Sequence, residues 1–290
     1  VTERTIHNPT EAYVGKDLGS REFVATDEMM ENYFVGLEID GSWYVDHSPF
    51  AEPVAPSMVL TDVETGFDGA GFENSFGTLW MRQEWDTHAP IIPGERYKAT
   101  SRVSDIYEHR GRTVVDQETT LWTLGGEMAA RGRHHQSYMR DQSSGQVELR
   151  SPKSKEGVRR FAVPEGETIG SDAHTITLEM CGIFFHGNAN YHTDKKIAEE
   201  LGFPDVVVGG RMTLSYIGDM MDKRFGKGWY EGGSLDAKFT NIVWPGDTVI
   251  TRGVITDTVK GDGPDRANVA VWMEKDDGTV VIVGNAKALV

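Results

Sequence analysis

The feature that most limits what this chain can fold into is that it repeats itself. Pro93-Gly94-Glu95-Arg96-Tyr97 opens a run that continues through Val103-Ser104-Asp105. Pro245-Gly246-Asp247-Thr248-Val249 opens a second, continuing through Val254-Ile255-Thr256-Asp257. The offset is 152 residues at both ends (245 − 93 and 257 − 105). Each Pro-Gly follows a strand-like segment, residues 79–85 in the first half and 235–239 in the second. Each precedes alternating residues, Tyr97/Ala99/Ser101/Val103 and Val249/Thr251/Gly253/Ile255, the period of two expected of strands. Upstream, residues 53–60 parallel residues 205–214 at an offset of 154 (212 − 58). Downstream, strand-like segments at 113–123 and 267–274 each carry a tryptophan, Trp122 and Trp272. Four markers in one order describe a duplicated unit of roughly 130–150 residues, the size of an ordinary domain. The join is expected near 143–157, where polar and charged residues replace apolar periodicity, which gives units at 1–145 and 146–290.

Each unit reads as a helical segment followed by several long antiparallel strands. In the second half the helix is expected at about 211–225. Met212, Tyr216 and Met220 fall on one stripe, and Leu214, Ile217 and Met221 on another. A short helix apolar on so many sides is expected to be buried. A central helix wrapped by a curved antiparallel sheet is the α+β arrangement called the hotdog fold, so the expected architecture is a double hotdog.

Composition narrows the function classes. With 45 Asp+Glu against 29 Lys+Arg, the 290-residue chain carries a formal net charge of −16, which argues against a nucleic-acid partner. Hydrophobic residues at 38% suit a globular protein and not a disordered one. No apolar run approaches the ~18–20 residues that span a bilayer, so no membrane partner is expected. Val1-Thr2-Glu3-Arg4 does not read as a signal peptide. The single cysteine, Cys181, cannot form an intrachain disulfide, and a reducing, cytoplasmic setting is the natural expectation. Cys181 lies in the apolar stretch 180–185 and reads as a packing residue. No metal, flavin or nicotinamide site is suggested, and no cofactor is expected.

The densest polar cluster is His186-Gly187-Asn188-Ala189-Asn190-Tyr191-His192-Thr193-Asp194. It reads as a strand-to-helix loop: Thr193 or Asp194 can cap a helix whose inner stripe is Ile197, Ala198 and Leu201 and which Gly202 ends. Such loops collect binding and catalytic groups. Eighteen residues after His192 (210 − 192), Gly209-Gly210 stands at the expected start of the buried helix. Free N–H groups and the helix dipole make that start an oxyanion site, and glycine lets a ligand approach the backbone. A histidine loop together with a glycine helix start can activate water while holding a thioester or ketone oxygen.

Asn190-Tyr191-His192-Thr193-Asp194, the lysine-containing helix after it, and Val207-Val208-Gly209-Gly210-Arg211-Met212-Thr213-Leu214 resemble the MaoC-like dehydratases, also called R-specific enoyl-CoA hydratases. Their signature is Asp-x-Asn-Pro-(Leu/Ile)-His-x-Asp, followed by His-Gly-Met-x-Thr at the central helix, and their tandem form is a double hotdog with the site in its C-terminal half. The resemblance implies hydration or dehydration of an α,β-unsaturated acyl-CoA thioester or related small molecule. It implies that His192 is the catalytic histidine, that Gly210 offers its N–H to the thioester oxygen, and that Asp194 matches the acidic residue after the histidine. This chain departs from the signature where Gly187 stands for the catalytic aspartate, Ala189 for the asparagine, Asn190 for the proline, and Gly209 for the histidine before the oxyanion glycine.

The candidate catalytic residues are therefore His192, Asn188 and Gly210, with Asn190, Gly209, Arg211 and Tyr191 as candidate substrate-binding residues. Asn188 and Asn190 flank the vacant positions and can position a water, or can serve as loop-formers. Asp194 is as readily a helix N-cap. In the first unit the corresponding loop, residues 37–44, has no histidine before its cap, and Ala55-Pro56 replaces the paired glycines. That unit is expected to shape the acyl pocket without catalysing, its aromatics Phe34, Trp43, Tyr44 and Phe50 serving either pocket or core. His134-His135 on a strand point to opposite faces and are not expected to share a metal. Gly125-Gly126 and Gly261-Asp262-Gly263 read as turns. For a CoA diphosphate Lys195, Lys196, Arg211, Lys223, Arg224 and Lys238 are available. Two other readings stay open, a non-catalytic double hotdog binding an acyl ligand or protein partner and a hotdog thioesterase, as does a homodimer of the whole chain.

Overall fold

The computed structural model describes residues 11–67, 79–109, 112–138, 161–260 and 263–290. The first unit runs β1 (Asp17–Val24), α1 (Asp27–Leu37), α2 (Ser42–Val45), a 3-10 turn (Ser57–Val59), α3 (Leu60–Thr65), β2 (Leu79–Thr87), β3 (Arg96–His109), β4 (Arg112–Thr123) and β5 (Met128–Tyr138). The second runs β6 (Glu167–Thr175), α4 (Leu178–Phe184), α5 (Lys195–Glu200), α6 (Gly210–Phe225), α7 (Lys227–Tyr230), β7 (Ser234–Phe239), β8 (Thr248–Val259), β9 (Arg266–Lys275) and β10 (Val280–Leu289). The strands form one ten-stranded antiparallel sheet in the order β1-β3-β4-β5-β2-β7-β10-β9-β8-β6. Read outward from the β2–β7 seam, each half has the same order. The duplication seen in the sequence is thus a duplication of structure, and the fold is a double hotdog.

The seam explains why the two copies belong together. Either unit alone would leave β2 or β7 as an open edge, a template for pairing with another chain. Here Trp85 pairs with Leu235 and Gln83 with Ala237, so each copy covers the other's edge. The repeated Pro-Gly pairs are the turns into β3 and β8. Gly94 and Gly246 sit at φ +79° and +95°, which an L side chain rarely adopts, so glycine recurs there.

The core lies between the sheet and the helices. On α6 every residue from Met212 to Asp222 is buried. Its N-cap Gly209 offers no side-chain cap, a contribution of typically ~1 kcal/mol. Burial of side chains such as Leu214, Ile217 and Met221, at roughly 1.5–3 kcal/mol each, outweighs that many times over. The first unit's counterpart is shorter, only the 3-10 turn followed by α3.

One expectation is corrected. Residues 180–185 are not a strand; α4 takes in residues 180–184 and Phe185 is its C-cap, with Thr177 Oγ1 accepting from Met180 N at 3.1 Å at the other end. A short apolar run has no period that separates a strand from a buried helix, and the cap decided it. The 186–194 cluster therefore joins two helices. The boundary between the units and Gly261-Asp262 lie outside the described residues. Among the described residues no helix is long and apolar enough to cross a membrane.

Candidate active site

The loop that presents His192 is tied by its own polar residues. Asn190 Oδ1 accepts from His192 N at 2.7 Å, Asn190 N donates to Thr193 Oγ1 at 3.0 Å, and Thr193 Oγ1 donates to Asn188 O at 2.6 Å. Asp194 caps α5, its Oδ1 accepting from Lys196 N and Ile197 N. The His192 ring stacks on Phe185 at 4.9 Å and meets Tyr191 at 3.9 Å between centroids. Its Nδ1 lies 2.7 Å from Val207 O. A carbonyl only accepts, so the proton sits on Nδ1 and Nε2 keeps its lone pair. Burial pushes the imidazole pKa down to about 4, with the Arg211 charge in the same direction, so the ring is neutral at pH 7.

Val207 belongs to the segment that runs directly into α6, so one stretch of chain fixes both the histidine tautomer and the helix start. Gly210 is the first residue of α6, and its N–H has no carbonyl one turn back to bond. A Cβ on Gly209 would collide with the Phe185 ring, and one on Gly210 would lie 2.6 Å from Trp80 Cε3. Glycine here lets two aromatic rings close over the helix start. Arg211 binds Asp62 Oδ1 at 2.8 Å and Thr65 Oγ1 at 3.1 Å, and lies over Phe184 and Phe185. It joins the units across the site.

Tyr191, His192, Gly209, Gly210 and Arg211 line one cavity of about 200 Å³. Asn188 and Asn190 do not line it. Asn188 is exposed, and its amide donates to Phe185 O at 3.0 Å, while Asn190 spends its side chain on the loop backbone. Both act as loop-formers, because two polar turns must be satisfied where the chain leaves one helix for another. Gly187 sits at φ +69° and is also outside the lining.

The first unit supplies the facing wall with Thr65, Leu79, Trp80, His134 and Gln136. The aromatics expected there lie elsewhere: Phe34 and Trp43 pack on Tyr44, and Phe50 on Tyr230. His134 and His135 do point to opposite faces. His135 is buried against Glu84 and Tyr107, whereas His134 stacks on Trp80 at 4.7 Å and faces the cavity. Sequence reasoning about metal ligation passed over His134. The signal that marks it is a strand whose inward positions, 134 and 136, carry a histidine and a glutamine instead of apolar residues.

The helix start in the first unit is closed. Ser57 N donates to Asp222 Oδ2 at 3.1 Å, and Tyr44 OH donates to Asp222 Oδ2 at 3.0 Å and to Asp219 Oδ1 at 2.9 Å. A carboxylate from α6 thus occupies the position that a ligand oxygen would take. Burial pushes Asp222 up to about 7, and the Asp219 charge adds to it. Of the basic residues considered for a diphosphate, Lys195 pairs with Asp205, Lys223 with Asp219 and Arg224 with Glu167, besides Arg211 with Asp62. Cys181 is buried, its Sγ 3.9 Å from Met212 Sδ. Among the described residues, no group of three or more His, Cys, Asp or Glu side chains could hold a metal ion.

Comparison with known proteins places this arrangement. Residues 161–277 match the family described as MaoC like domain. A MaoC-like dehydratase from Phytophthora capsici superposes with a TM-score of 0.70 at 15% identity, over 95% of this chain and 96% of that one. HtdX from Mycobacterium tuberculosis gives 0.62 at 16% identity, over 93% and 100%. A conserved hypothetical protein from the same organism, described as having a double hotdog fold, gives 0.61 at 11%, over 96% of both chains. Among curated proteins, none matches. The chain has a double hotdog fold, and residues 161–277 of its second half match the MaoC like domain family.

Proposed function

We propose that this protein adds water to, or removes it from, an α,β-unsaturated acyl-CoA or a related thioester. The observation that carries this reading is the tautomer of His192. Its Nδ1–H is held by Val207 O, and it lines the same cavity as Gly210, the first residue of α6. A neutral imidazole with a free Nε2 lone pair accepts a proton from water. The Gly210 N–H and the positive end of the α6 dipole stabilise negative charge as it develops on the thioester oxygen. Removal of one such donor typically costs ~2.7–4 kcal/mol of transition-state stabilisation, so this interaction and the base together account for a large share of the catalysis.

The assay is enoyl thioester absorbance with a panel of enoyl-CoA and R-3-hydroxyacyl-CoA esters, wild type beside His192→Ala. Turnover in the wild type, reduced ~100-fold or more in the variant, is the expected result. Absence of turnover on every ester, with ester binding unchanged in His192→Ala, would sink the reading and leave a non-catalytic acyl-binding double hotdog.

A further inference from the structure

The first unit's wall of the cavity carries two polar side chains where the inner face of a sheet is ordinarily apolar. On that face of β5, Ala130 and Gly132 are followed by His134 and Gln136, and the last two line the cavity. His134 Nε2 lies 3.1 Å from Gln136 Oε1, an oxygen that only accepts, so the ring proton sits on Nε2 and donates to the amide. Glu64 Oε2 stands 4.0 Å from Nδ1, beyond hydrogen-bond reach, and holds no proton there. Burial pushes His134 down to about 4, so at pH 7 the neutral ring has that single N–H to give. Stacking on Trp80 at 4.7 Å fixes the ring. With Oε1 engaged, what the Gln136 amide offers a ligand is its NH2, and that group has no hydrogen-bond partner among the described residues.

Other polar side chains of the cavity are turned to the protein itself. Thr65 Oγ1 donates to Asp62 O at 3.3 Å, Thr213 Oγ1 to Gly210 O at 3.0 Å, and Asn241 Nδ2 to Val280 O at 2.6 Å. At about 200 Å³ the cavity is smaller than the ~300–1,000 Å³ of pockets that take drug-sized ligands, so the part of a thioester that enters it is a short acyl group. That group excludes water from the Gln136 amide. An all-hydrocarbon chain would strand the NH2, whereas a chain with an oxygen at that place would meet it. Sites built around such a donor discriminate against the analogue that lacks the oxygen. A carboxylate is a poor occupant, because Asp62 already neutralises Arg211 at 2.8 Å and an ion buried without a counter-charge is strongly disfavoured.

We propose that Gln136, oriented by His134, reads an uncharged oxygen on the substrate, so that the preferred substrate class is a short enoyl thioester carrying a carbonyl beyond its double bond. Gln136 selects the substrate and takes no part in proton transfer. The inference deepens the hydratase reading above and rests on it for the reaction, while the recognition is a binding property that can be measured by itself.

The test uses the full chain and short unbranched enoyl-CoA esters of matched length: an all-hydrocarbon ester, one with a ketone two carbons beyond the double bond, and one with a carboxylate at that place. Wild type, Gln136→Leu and Gln136→Asn are compared by kcat and KM. The saturated hydrocarbon and ketone esters, which cannot react, are titrated by calorimetry. The expected result is a wild-type preference for the ketone ester of ~10-fold or more in kcat/KM and in Kd, reduced by Gln136→Leu to within about threefold of unity. Gln136→Asn, whose shorter amide reaches less far, is expected to fall between. Damaged packing alone would weaken both esters together and leave their ratio unchanged. A wild-type ratio near unity, a preference for the hydrocarbon or carboxylate ester, or a ketone preference that survives in Gln136→Leu would each overturn the inference and leave the hydratase reading standing. No turnover on any ester, with a calorimetric preference that depends on Gln136, would remove the hydratase reading and keep the recognition. Absence of both turnover and preference would remove both.

Discussion

Asp222→Asn is predicted to stabilise this protein at pH 8 and not at pH 4. Asp222 is fully buried on α6, and burial raises its carboxyl from an ordinary 3.8 to about 7. The folded state therefore holds its proton more tightly than the unfolded chain. Its stabilising contribution is fully present below about pH 4 and is lost as pH rises from there through about 7. That difference of about three pH units, at about 1.36 kcal/mol each, sets an upper limit of ~4 kcal/mol for the cost of the charge at pH 8. Asparagine keeps an oxygen for Tyr44 OH and Ser57 N, but its NH2 enters the place of Oδ1, which has no hydrogen-bond partner among the described residues. An unmet buried donor costs roughly 1–3 kcal/mol. The net gain at pH 8 is ~2 kcal/mol, or about 4–8 °C in thermal midpoint. At pH 4 only the cost of the amide remains, so the variant should be less stable than the wild type by roughly 1–3 kcal/mol. Thermal melts of both proteins from pH 4 to 9 measure the difference directly, and other titrating groups cancel in the comparison. A difference that does not change with pH, or a variant less stable than wild type at pH 8, would refute the argument that a buried charge sits at this helix.

Two further outcomes are expected. Gly210→Ala keeps the N–H but puts a methyl 2.6 Å from Trp80 Cε3, so it should cost ~1–3 kcal/mol in denaturant melts and lower turnover through the displaced ring. Cys181 is buried, with its thiol pushed up to about 11, so it should react with a thiol reagent only at the rate of unfolding; fast labelling of the native protein would contradict the packing described here.

The repeat was legible because its markers are local. Pro-Gly turns need a positive φ at the glycine, and long strands need alternation, so both copies carry the same signs at a constant spacing. The extent of α6 was legible for a similar reason, since a helix buried on all sides must be apolar on several stripes. The His192 loop and the Gly209-Gly210 helix start were visible as residue types in order, and their common cavity follows from that order. The 180–185 segment was misread because six apolar residues carry no period, and only the Thr177 cap marks them as helix.

What the tertiary structure decided is which residues from the two halves meet. Asn188 and Asn190 looked chemical in sequence, but their side chains are consumed by their own loop. His134 looked incidental, but pairing β2 with β7 and seating α6 beneath them brings it to the wall opposite His192, with Glu64 behind it. The carboxylate of Asp222, far from Ser57 in the chain, fills the first unit's helix start by the same packing. Local backbone preferences act over a few residues and so can be read along the chain. A site built between two copies depends on bringing together residues 58 or more positions apart (192 − 134 = 58, and 222 − 57 = 165), and their meeting is fixed only when the sheet closes at its seam.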